Sequence, residues 1–149
     1  QESFFNIQPM ITKYHIDEYM DYHKYVPASH IPQILNSSSI LLSLTNKSNG
    51  DGPKGILGTK FYEFLAVEKP ILSIRSDQSY IAQVIKDTNA GLAATNVKEV
   101  CDFIRFHYNE WKKNGYTSVN INRNQLNIFS RREQAKQFIN IFNEVKKGK

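Results

Sequence analysis

The sequence predicts an α/β domain built on an open parallel sheet with helices on both faces. Three observations predict it. Two short runs, residues 40–44 and 71–74, are apolar with almost no polar alternation, the pattern of strands covered on both sides. Segments with apolar residues at helical spacing lie between and after these runs. Gly, Pro, Asn and Ser collect at the junctions, where a chain turns from one element into the next.

Taken in order, residues 4–14 carry apolar side chains at 4, 7, 10, 11 and 14, a helical rhythm interrupted by Pro9. Residues 19–23 read as a short strand, and residues 24–29, with Pro27, as the turn after it. Ile31, Ile34 and Leu35 form the stripe of a short helix starting near His30. After the strand at 40–44 comes a polar loop over residues 45–55, rich in Gly, Asn, Ser and Lys; irregular segments of that length in compact domains are usually functional or disordered. A helix over about residues 58–67 follows, and Pro70 opens the strand at 71–74. Ser76 and Asp77 stand where they cap a helix over 79–86. Residues 89–93 read as a turn into a short strand. Asn96 and Glu99 form a capping box for a helix with Val100, Phe103, Ile104, Tyr108 and Trp111 on one face, ended by Gly115. Cys101 falls beside that face and is expected in the core. A second capping box, Ser130 to Glu133, opens a last helix with Ala135, Phe138, Ile139, Phe142 and Val145 as its apolar stripe.

With 149 residues the chain is long enough for one domain with a real core and too short for two, so residues 1–149 are read as a single domain. One cysteine excludes an internal disulfide framework and fits a reducing compartment. The apolar runs fall far short of the roughly 20 residues of a membrane span, and no signal-like segment opens the chain. A net charge of +5 is compatible with an anionic partner, but the basic residues are scattered. Much of the excess lies in Arg131, Arg132, Lys136 and residues 146–149, and no clustered patch of the kind nucleic acid or an acidic membrane requires is visible. His15, His23, His30 and His107 show no metal-ligand spacing and read as surface or packing residues, so no metal is expected. Neither a phosphate-binding Walker sequence nor a nucleophile elbow is present. Phe103, Tyr108 and Trp111 follow helical spacing, which assigns them to a core rather than to a base-stacking platform.

Right-handed crossovers between parallel strands bring the loops after each strand to one edge of the sheet, where ligands of such sheets bind. Those loops are residues 24–29, 45–58 and 75–79. The segment 52–72 carries the chemistry. Gly55 and Gly58 allow the backbone to approach a bulky ligand closely. Free N–H groups of the next helix start, near Gly58, Thr59 and Lys60, offer donors and a positive dipole end to an anion, and Lys60 adds a mobile charge. Glu63, one turn further, is an acceptor-only group suited to the paired hydroxyls of a ribose. Phosphate at the tip and ribose one turn along is a workable nucleotide geometry. The plainer reading is that Lys60 and Glu63 form an exposed ion pair worth about 0.2–0.5 kcal/mol and that the glycines serve only a turn.

The order of the whole segment resembles the carboxyl-terminal, Rossmann-like domain of GT-B glycosyltransferases, and within them the retaining group 1 (family 4) enzymes of bacterial polysaccharide and lipopolysaccharide synthesis. Lys60-Phe-Tyr-Glu-Phe-Leu-Ala66 with Lys69-Pro-Ile-Leu72 is similar to that family's Lys-Leu-x-Glu-Tyr-Leu-Ala and Lys-Pro-Val-Leu pattern. Tyr25-Val-Pro27 before the helix of Ile31 to Leu35 resembles its Gly-Tyr-Val-Pro segment, and Phe129-Ser-Arg131 resembles the start of its final helix. The likeness runs from about Tyr19 to Val145 and is most specific over residues 58–72. Two departures stand out. Gly55 occupies the place of an earlier glutamate, with Asp51 close by, and the basic residues of the family's first strand–helix unit have no counterpart.

The resemblance implies a donor-binding half of a two-domain enzyme, starting inside that domain and lacking its first strand–helix unit. It implies ribose on Glu63, diphosphate at Gly58–Lys60, and the base near Tyr25 and Val26. The donor would be a UDP- or GDP-sugar and the acceptor a saccharide or lipid-linked molecule, in cell-surface polysaccharide synthesis. The catalytic residues stay unassigned, and no cofactor beyond the donor and no nucleic acid is expected. The enzyme would be cytoplasmic, at the inner face of the membrane where its amino-terminal acceptor domain makes peripheral contact, and this chain alone would be inactive. Two other readings stay open: half of a nucleotide-sugar epimerase, and a non-catalytic α/β regulatory or interaction domain in which Lys60 and Glu63 are only a salt bridge.

Overall fold

The computed structural model describes residues 6–21, 23, 25–44, 57–74 and 80–147. The chain divides into two compact units, Gln1–Ile31 and Pro32–Lys149.

The first unit holds helix α1 (Gln8–Tyr14) with Pro9 in its opening turn, where a missing N–H costs nothing. His15 closes α1 in the left-handed conformation, φ 52°, and Ile11 is buried. Short 3-10 turns follow at Asp17–Tyr19 and Ala28–His30. The strand expected at 19–23 is not formed among the described residues. Tyr19 ends a 3-10 turn, and Met20, though extended, pairs with no strand. Aromatic residues favour strands through their packing against cross-strand neighbours, and here no neighbour is present. Tyr22 and Lys24 lie outside the described residues.

Helix α2 (Ile31–Ser37) starts at the boundary between the units. The second unit continues with β1 (Leu41–Leu44), α3 (Thr59–Val67), β2 (Ile71–Ile74), α4 (Tyr80–Thr88), β3 (Gly91–Ala94), α5 (Val97–Asn114), α6 (Arg123–Asn127) and α7 (Arg131–Lys147). The strands are parallel in the order β1-β2-β3, with Leu44, Ile74 and Ala94 level at the carboxyl edge. This is the α/β arrangement that the apolar runs predict.

Successive crossovers in one direction put α3 and α4 on the same face of the sheet. There Phe61 and Leu65 of α3 and Ile81, Val84 and Ile85 of α4 close over Leu41 and Ile71. Side chains alternate along a strand, so Leu72, 2% exposed, points to the opposite face. Helix α5, in contact with β2 and β3, covers that face. β2 is therefore covered on both sides, as its sequence predicts, with only Ile74 at its end partly exposed.

Three burial expectations are corrected. In β1, Leu41 is buried but Leu42 and Leu44 are 50% and 74% exposed, because among the described residues β1 is at the edge of the sheet. A lone apolar run does not distinguish an edge from a centre. In α5 the centre of the inner face is taken by His107; Tyr108 and Trp111 stack on each other in partly exposed positions, and Cys101 is exposed. The sheet beneath is too narrow to cover so wide a stripe. In α7 no residue is buried.

Gly91 sets the spacing of the sheet. Its φ is 153°, and a Cβ there would stand 2.0 Å from the Ile71 carbonyl oxygen and 2.6 Å from the Ile71 nitrogen. Both atoms are backbone and cannot give way. We predict that Gly91→Ala forces β3 away from β2 and lowers stability by roughly 2–4 kcal/mol. Urea unfolding monitored by circular dichroism checks this, and a loss under roughly 0.5 kcal/mol would contradict the close approach.

Candidate functional site

Every helix that follows a strand here begins at the carboxyl edge of the sheet, so its first N–H groups face the same side. Whether those groups are free depends on the local sequence. At α5 they are not. Asn96 Oδ1 accepts from Glu99 N at 3.0 Å, and the Glu99 carboxylate accepts from Thr95 N at 2.8 Å. This is a capping box with its return bond moved back one residue, and those bonds, the Thr95 amide first, hold the Glu99 carboxyl below its ordinary range. Helix α7 is closed by Ser130 Oγ, which accepts from Glu133 N.

Helix α3 starts differently. Its N-cap is Gly58, in extended conformation and without a side chain to accept from the first turn. No acidic residue stands in that turn, and a Cβ built on Gly58 would meet nothing within 4 Å. The backbone N–H groups of Thr59 and Lys60 have no intrahelical acceptor, and the positive end of the dipole is left uncompensated. Thr59, Lys60 and Glu63 are all exposed, while Phe61 and Leu65 anchor the other side of the helix in the core. Among the described residues neither Lys60 nor Glu63 makes an ion pair, with each other or with anything else.

Gly58, Thr59, Lys60 and Glu63 are thus brought together on one helix end. Gly55 and most of the loops at 45–58 and 75–79, with Ser76 and Asp77, lie outside the described residues. Tyr25, 95% exposed, and the half-buried Val26 belong to the first unit. One residue went unremarked in the sequence. Ser73, on the α3-facing side of β2 and one pair from the carboxyl edge, is buried with its hydroxyl unpartnered among the described residues. Its register partner is Ser43 of β1. The signal was present as matching runs, Leu-Leu-Ser-Leu and Ile-Leu-Ser-Ile, each with one serine at the same depth.

Compared with known proteins, the chain matches no family model, no curated protein and no solved structure. The chemistry of the site rests on the chain's own residues.

A concavity of about 600 Å³ lies elsewhere, along β3 between α5 and residues 118–120. Its polar groups are already occupied with one another. Asn89 Nδ2 donates to Asn120 O at 2.6 Å, and Asp102 pairs with Lys98 and Arg105. Buried His107 meets Glu110 at 3.0 Å through Nδ1, and Ser118 Oγ donates to Glu110 at 2.6 Å. This cluster fastens the segment after α5 to the helix and reads as structure rather than as a ligand site. Among the described residues no group of His, Cys, Asp and Glu is arranged to hold a metal ion.

The Ser118 hydroxyl, and after it His107, holds the Glu110 carboxyl below its ordinary value of 4.5. A carboxylate whose folded value is depressed stabilises the fold fully above its unfolded value and ceases to do so as pH falls through the folded one. Urea unfolding across a pH series should show wild type losing stability as pH falls below 4.5, with a smaller loss in Glu110→Gln. Parallel curves for the two proteins would remove Glu110 from this role.

Proposed function

We propose that this chain binds the nucleoside diphosphate of a sugar donor at the carboxyl edge of its sheet, as the donor-binding half of a glycosyltransferase. The observation that carries the reading is the bare start of α3, with free amides at a glycine, exposed Lys60 in the first turn and exposed Glu63 one turn further, neither ion-paired among the described residues. A diphosphate meets the amide end and Lys60 there. Glu63 accepts from the ribose hydroxyls, each such charge-assisted bond being worth more than a neutral one. In transfer, the same donors stabilise the negative charge that develops on the departing nucleotide. The sugar is a UDP- or GDP-sugar and the acceptor a saccharide or lipid-linked molecule, held by a preceding amino-terminal domain across a cleft. The single exposed thiol, Cys101, suits a reducing, cytoplasmic setting.

Calorimetric titration with UDP and with GDP tests this. One of the two should bind saturably. Glu63→Ala should weaken it by about tenfold, the equivalent of about 1.4 kcal/mol, and Lys60→Ala by a similar factor. Gly58→Val is the sharper probe. A Cβ there meets nothing within 4 Å and the extended backbone of Gly58 is one valine adopts, so the fold should be retained while the diphosphate loses its close approach. Equal affinities for wild type and all three variants, or no binding of either nucleotide, would favour a non-catalytic interaction domain.

A further inference from the structure

We draw no further inference here: the strongest candidate, the apolar cavity of about 230 Å³ between Ile40, just ahead of β1, and Ile104, Tyr108 and Trp111 of α5, carries nothing because nothing in the structure shows what covers it.

Discussion

The pairing of β3 with β2 passes through a point where any Cβ at residue 91 would lie 2.0 Å from the Ile71 carbonyl oxygen, and the second unit is arranged around that contact. Close approach lets Ile71 N donate to Ala90 O at 2.9 Å and leaves Ile71 with no exposed surface. The turn before Gly91 in turn anchors the segment after α5. Asn122 N donates to Thr88 O at 2.8 Å, and Asn89 Nδ2 donates to Asn120 O. That segment leads into α6, whose Arg123 grips Glu68 with two bonds of 2.9 and 2.7 Å. Glu68 is the C-cap of α3. A chain of contacts therefore runs from the close approach at Gly91 to the far end of the helix that carries the candidate site.

That helix is held by its buried side and its C-terminal end, and its N-terminal end is left open. The contrast with α5 shows that this is a matter of local sequence. At α5 the Asn96 side chain takes one donor and Glu99 sets an acidic group beside the others, whereas the first turn of α3 has neither a capping side chain nor an acidic residue. A helix start with glycine at the N-cap is less stable than one capped by Ser, Asn or Asp by roughly a few tenths of a kcal/mol. Here the buried Phe61 and Leu65 offset that cost, which is how a fold can present free amides to solvent. The hydroxyl of Ser73, unpartnered among the described residues, lies one pair from the same edge of the sheet.

Much of this was legible in the residues, and the failures share a cause. Residues 71–74 read correctly because an apolar run bounded by Pro70 has one outcome when both faces are covered. Caps at Asn96, Ser130 and Gly115 were legible because they are local interactions between neighbours in sequence. The stripe of α3 sorted correctly into Phe61 and Leu65 inside, Lys60 and Glu63 outside. What failed depended on a neighbour that sequence does not name. Tyr19 to His23 has strand-forming residues but, among the described residues, no strand beside it. Leu42 and Leu44 have the composition of a central strand at an edge. The stripes of α5 and α7 are wider than what lies opposite them. Helix α6 escaped notice although Asn122, which accepts from Gln125 N, announces it.

The open side of β1 has a practical bearing. Its backbone donors and acceptors on that side are unpaired by any strand among the described residues, and the leucines flanking them, Leu42 and Leu44, are in water. Such an edge is a template on which further chain adds by hydrogen bonding. Edge-to-edge association is the hazard such a strand carries when the polypeptide is handled alone.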